Sequence, residues 1–322
     1  MRYDEFGLVK PSYRLVVLLA AAVVSCACGR HRQRVLEVDY VSAPQVVLRD
    51  QLSQVFNKVG MVSNGDRLEV LDRDRRFAKV RTAAGLEGWV EQRYLVNQHV
   101  FDAFQKLSQD EKDAVPVGTA TTRNDTNLHV EPGRDTDHLY QLTQGSKISV
   151  LKRAAAGKNL PGAPRVESGK EVTAPLEDWW LARDASGHVG WVLGRLIDLD
   201  VPIEVAQYAE GQRIVGCFEL NEVTDGDKKV PQYLMILTEN KDGMPFDYNQ
   251  ARVFTWNVKR HRYETAYRER GLNGVLPVTI SHEEFGKEGD LPTFTLRIKD
   301  SGGNIVERKY KMNTPIVKRV TS

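Results

Sequence analysis

The tripeptide Gly88-Trp89-Val90 returns as Gly190-Trp191-Val192, and what precedes the two copies decides how the chain is read. The first is led by Phe77-Ala-Lys-Val-Arg-Thr-Ala-Ala-Gly85-Leu-Glu, the second by Trp179-Trp-Leu-Ala-Arg-Asp-Ala-Ser-Gly187-His-Val. Without a gap, Phe77 falls on Trp179, Arg81 on Arg183 and Gly85 on Gly187. Each lead-in reads as strand, glycine turn, strand: a β-hairpin. Farther upstream, Asn64-Gly65, Leu68, Val70 and Leu71 fall on Gln144-Gly145, Ile148, Val150 and Leu151, alternating as a half-buried strand does. Val47-Leu48-Arg49 falls on Asn127-Leu128-His129. The spacing differs in one place. The second copy is longer around Ala154–Pro175, a stretch rich in Gly, Ala and Pro that reads as a loop insertion at 154–175. Ordered matches of this kind indicate an internal duplication.

The ordered set resembles the bacterial SH3 (SH3b, SH3 type 3) domain. It comprises Asn127, Leu128 and Pro132 in the second copy, then a Gly-led strand, an aromatic strand, a Gly hairpin and Gly-Trp-Val. The first copy, 38–96, has Val47 and Leu52 where the pattern has Asn and Pro; the second spans 118–200. The resemblance implies two small, strongly bent β-barrels, no catalytic residues, and binding to peptidoglycan peptides or other wall components.

Trp179 and Trp180 are adjacent on a strand, so they face opposite sides. Trp180 falls on Ala78, which makes it an aromatic that the first copy lacks. Tyr140, Trp179 and Trp180 are the candidate ligand-binding residues, with Tyr140 and Trp180 placed in one groove beside the 154–175 loop. The alternative is that Trp180 packs beneath that loop. Trp89 and Trp191 read as packing residues.

Between the copies, 97–117 carries Val100, Phe101, Phe104 and Leu107 at helical spacing, ending near Pro116. The expectation is an amphipathic helix packed on a barrel, or alternatively one that binds a partner. The C-terminal region, 201–322, reads as about seven strands, hence a β-sandwich or barrel. Expected strands include Tyr233–Thr238, Ala251–Trp256, Arg262–Tyr267, Val275–Ile280, Thr293–Ile298 and Val306–Met312. Lys259, Arg260 and Arg262 cluster in a polar hairpin loop there. They are a candidate anion-binding group or simply a solvated turn.

The N-terminus reads as an address. Leu15–Val24 is apolar but spans only about 15 Å as a helix, roughly half a bilayer core, which suits a signal peptide (1–25). Val23-Val24-Ser25-Cys26 resembles the bacterial lipobox. That implies cleavage before Cys26, its lipidation, and a tether over 26–37; an ordinary secretory signal is the alternative. With Cys26 lipidated, Cys28 and Cys217 remain as thiols whose pairing the sequence leaves open.

The 322 residues, 41% hydrophobic and 27% charged with a net charge of +2, describe a globular chain without the basic excess of a nucleic-acid binder. No nucleophile-elbow, zincin or phosphate-loop motif is present, and the seven His show no metal-ligand spacing. Neither a cofactor nor a metal is expected. The whole reads as an all-β, non-catalytic envelope lipoprotein. Its partners are the membrane, through the lipid, and peptidoglycan or envelope proteins. Its expected location is the periplasmic face of the outer membrane. A scaffold or assembly factor acting through the C-terminal domain, and a wall hydrolase with its site there, are the alternatives.

Overall fold

The computed structural model describes residues 33–158 and 175–320. Cys26, Cys28, the signal peptide and most of the 154–175 segment lie outside the described residues. Three seven-stranded antiparallel sheets follow one another along the chain.

The first contains β1 (Glu37–Val41), β2 (Gln45–Arg49), β3 (Lys58–Ser63), β4 (Arg67–Asp74), β5 (Phe77–Arg81), β6 (Glu87–Glu91) and β7 (Leu95–Asn97), in the order β3-β2-β6-β5-β4-β1-β7. The second contains β8 (Gly118–Thr122), β9 (Thr126–His129), β10 (His138–Leu142), β11 (Lys147–Gly157), β12 (Leu176–Arg183), β13 (Val189–Leu193) and β14 (Ile197–Leu199), in the order β10-β9-β13-β12-β11-β8-β14. Strand for strand the two orders are identical, so the duplication read in the sequence is a duplication of topology.

The glycines of the two Gly-Trp-Val segments are there for space. A methyl on Gly88 would lie 2.9 Å from Leu48 Cβ, and on Gly190 it would lie 2.7 Å from Leu128 Cβ and 3.0 Å from Phe104. Trp89 and Trp191 are half-buried, paired in register with Arg49 and His129.

The inserted segment is strand for longer than expected. β11 runs through Gly157 and β12 begins at Leu176, so Ala155 pairs with Asp178, Ala156 with Glu177 and Gly157 with Leu176. In the first barrel the equivalent hairpin closes at Asp74↔Phe77. The second barrel therefore carries a two-stranded arm where a loop was expected from Ala154.

Helix α1 (Gln98–Asp110) joins the barrels, with the Asn97 side chain accepting a hydrogen bond from Val100 N at its start. Its apolar positions divide between the two neighbours. Phe101 stacks on Tyr40 at 4.0 Å, Phe104 meets Tyr140 edge-on at 5.3 Å, and Leu107 packs on Leu151, Leu181 and Val189.

A single turn, α2 (Ile203–Ala206), leads into the third sheet. Its strands are β15 (Arg213–Asp225), β16 (Lys228–Thr238), β17 (Tyr248–Asn257), β18 (Arg262–Glu284), β19 (Asp290–Lys299), β20 (Ile305–Asn313) and β21 (Ile316–Arg319), paired in sequence order. This is one sheet rather than the two of a sandwich, curled so that β15 and β19 approach within 8 Å. The two strands expected at Arg262–Tyr267 and Val275–Ile280 are halves of the 23-residue β18. At Gly274 the Tyr248 ring occupies the space of a side chain, 2.1 Å from where Cβ would stand, and Tyr248 OH donates to Arg297 O at 2.9 Å.

The third sheet docks on the arm of the second barrel through buried charge. Asp178, 4% exposed, accepts from Arg153 at 2.6 Å, Arg213 at 2.8 Å and Gly243 N at 2.9 Å. Arg153, 5% exposed, also reaches Phe246 O at 3.0 Å and Asp247 at 3.2 Å.

Candidate functional site

The cleft between the two barrels is built from four short pieces: the turn after β3, one face of α1, strand β10 and the β12–β13 hairpin turn. Its volume is about 560 Å³, and Asn64, Asp66, Phe101, Gln105, Tyr140 and His188 are among its lining residues. That size lies within the range of small-molecule sites.

Asn64 fixes the geometry. β10 is an edge strand, and an unpaired edge seeks partners. The Asn64 amide supplies one: Nδ2 donates to Leu139 O at 2.6 Å, and Oδ1 accepts from Gln141 N at 3.1 Å. The side chain thus imitates a strand rung and holds Tyr140 beside the first barrel's turn, where a methyl on Gly65 would stand 3.7 Å from its ring. Opposite, Asp184 folds the hairpin turn by accepting from Ser186 N and His188 N, each at 2.8 Å. Its second oxygen lies 2.9 Å from His188 Nδ1. The His188 ring stacks on Tyr140 at 3.7 Å and 14°. Burial pushes the Tyr140 phenol above its ordinary pKa, so it stays a neutral donor and acceptor.

Two carboxylates, Asp66 and Asp184, and three amide side chains, Asn64, Gln105 and Gln141, line this space around a stacked aromatic pair. Such a surface accepts amines and amides and gives an apolar group a ring to lie on. Sequence reading placed Tyr140 in a site but missed Asn64, Asp184 and His188. The signal for Asp184 and His188 was the Asp-x-Ser-Gly-His turn, read only as a hairpin.

The other candidates lie elsewhere. Trp180 is 5% exposed and lines a different cleft, between the second barrel and the third sheet. Tyr140 and Trp180 therefore do not share the groove expected of them. Strand alternation assigns Trp180 to the shared core cluster, while Trp179, 2% exposed, lies on the opposite face against His129, ring centres 5.2 Å apart. Burial and the neighbouring His138 hold His129 at a pKa of about 4. Arg260 and Arg262 each lie 3.1 Å from Glu264, so the hairpin cluster with Lys259 is partly neutralised from within. Among the described residues no group of three His, Cys, Asp or Glu is placed to hold a metal ion, and no helix is long and apolar enough to cross a membrane.

Residues 45–96 match the bacterial SH3 domain family. The match runs from β2 to β7, and so includes the Asn64–Asp66 wall of the cleft. No curated protein matches the chain. Among solved structures it is similar to an NlpC/P60 family protein from Bacillus cereus, at 10% identity and a TM-score of 0.23, covering 58% of this chain and 65% of that one. It is also similar to NlpC2 from Trichomonas vaginalis, at 9% identity and a TM-score of 0.18, covering 85% and 92%. NlpC1 from the same organism gives 8%, 0.19, 87% and 89%. Scores this low carry no argument about function. The chain thus contains a bacterial SH3 domain, followed by a second barrel of the same strand order.

Proposed function

We propose that the chain is a non-catalytic, lipid-anchored envelope protein that binds cell-wall peptide in the cleft between its two barrels, the second barrel being a further bacterial SH3 unit. The observation that carries this reading is that the domain matched at 45–96 supplies the Asn64–Asp66 wall of that cleft. The chemistry fits: carboxylates for a free amine, amides for peptide groups, and Tyr140 with His188 for an apolar stretch. Lipidation at Cys26 would hold this surface near the wall. Its expected place is the periplasmic face of the outer membrane.

Sedimentation with insoluble peptidoglycan tests the reading. The chain is expected to be retained, and Tyr140→Ala to weaken retention about tenfold. No retention of the unaltered chain defeats the proposal. Zymography on wall material is expected to show no clearing; lysis would make the protein a hydrolase. Cys26→Ser is expected to release the protein from the membrane fraction.

A further inference from the structure

The second cleft, between the second barrel and the third sheet, has a volume of about 610 Å³ and takes no part in the reading above. Its side chains differ from their counterparts in the first barrel in a coordinated way. Ala78 is replaced by Trp180. Gln92, which donates to Arg75 O and Phe77 O, is replaced by Gly194. A methyl on Gly194 would stand 2.9 Å from Asp178 O and 3.3 Å from the Trp180 ring, so glycine is what allows the indole to sit here. Glu91 is replaced by Leu193.

The last change bears on charge. Arg93 of the first barrel is paired with Glu91 at 2.9 Å. Its counterpart, Arg195, has lost that partner and makes no ion pair among the described residues. The carboxylate that feels it, Glu177, is held by two hydrogen bonds of 2.7 Å from Arg134. The other charges lining the cleft cancel: Arg123 pairs with Asp198, and Arg213 lies 2.8 Å from Asp242. Among the described residues one guanidinium, that of Arg195, is left over. The rest of the lining is mixed: Val201 and Ile214, with the edges of the buried Trp180 and Ile197, supply an apolar strip beside the polar Gln212 and Asn240.

We infer that this cleft binds a small amphiphilic monoanion, one carboxylate on an apolar body. The carboxylate pairs with Arg195, in the bidentate geometry a guanidinium favours, and the body lies along Trp180 and Ile214. Because the walls come from both structural units, the ligand bridges the second barrel and the third sheet.

Calorimetric titration of the full chain with octanoate, acetate and 1-octanol tests this. Octanoate is expected to bind at least tenfold more tightly than acetate, which lacks the body, and than 1-octanol, which lacks the charge. Arg195→Ala is expected to weaken octanoate at least tenfold and Arg195→Lys less than threefold, with the thermal midpoint of both variants unchanged because Arg195 is exposed. Equal binding of octanoate and 1-octanol, or octanoate binding unaffected by Arg195→Ala, overturns the inference. Retention on peptidoglycan is read separately, so failure here leaves the wall reading standing and the converse holds as well.

Discussion

Gly190 illustrates how a residue can be repeated for the sake of what it lacks. Its Cα lies under Leu128 and against the edge of Phe104, with no room for a methyl group. Gly190→Ala is expected to destabilise the chain by about 1–3 kcal/mol, the usual range for overpacking, measured by urea unfolding. Cys217, half-buried against the core of the third sheet, offers a chemical probe. Desolvation pushes its thiol up to about 12, so at pH 8 almost none is thiolate, the reactive form. A thiol reagent is expected to label it slowly in the native protein and rapidly once urea unfolds the chain; fast native labelling would show the thiol to be accessible. His129 contributes a pH dependence whose sign follows from its depressed pKa. Between its ordinary value of 6.5 and about 4 the unfolded chain binds a proton that the folded chain does not. Its contribution is therefore complete above pH 6.5 and is lost as pH falls toward 4. Partial solvent screening limits the effect to about 1–2 kcal/mol. His129→Asn is expected to flatten the thermal midpoint between those pH values relative to the parent chain.

At the scale of elements, the parts legible in the sequence were those specified by local pattern. The two barrels were visible because turn glycines and alternating apolar residues recur in order, and α1 because Val100, Phe101, Phe104 and Leu107 share a face. What the sequence concealed depended on partners distant along the chain. Arg268–Gly274 is polar and glycine-bearing like a turn, yet Tyr248 from a neighbouring strand packs on Gly274 and carries β18 straight through it. Tyr140 and Trp180 were both recognisable as unusual aromatics. Strand order, which alternation along one strand does not reveal, puts β10 at the sheet edge and β12 two strands inward of β9, and so sends them to different clefts. The inserted hairpin hid its role in the same way. Ala154–Gly157 are small and loop-like, but β12 pairs with them and the resulting arm carries Asp178 into the third sheet. Removing one member of a buried ion network leaves the others without compensation. Asp178→Ala is accordingly expected to cost about 3 kcal/mol, whereas Asp198→Ala, on an exposed pair, is expected to cost under about 1 kcal/mol. Equal costs from urea titrations of the two variants would mean that the arm is not what holds the third sheet.

At the scale of the molecule, the buried apolar residues are divided unevenly. One set, from Val41 and Leu48 to Val90, belongs to the first barrel alone. A second runs from Leu128 and Trp180 in the second barrel to Val215, Phe294 and Tyr310 in the third sheet, touching the first barrel at Tyr40 and the half-buried Val38 and Val96. The first barrel is thus joined to the rest by a small patch around Tyr40, with Val38 and Val96 beside it, and by the Asn64 rung, while the second barrel and the third sheet share both an extended core and the Asp178 network. Cooperativity should follow that division, since residues that share packing and ion partners unfold together and those that do not unfold independently. Trp89 reports on the first barrel and Trp191 on the second. In variants retaining one or the other as the sole tryptophan at these two positions, urea unfolding followed by fluorescence is expected to give different midpoints. Adding Asp178→Ala should lower the Trp191 midpoint and leave that of Trp89 in place. If both midpoints coincide and move together, the three sheets form a single cooperative unit. The cleft at Tyr140 would then lie inside a rigid body rather than at a joint that wall peptide can tighten.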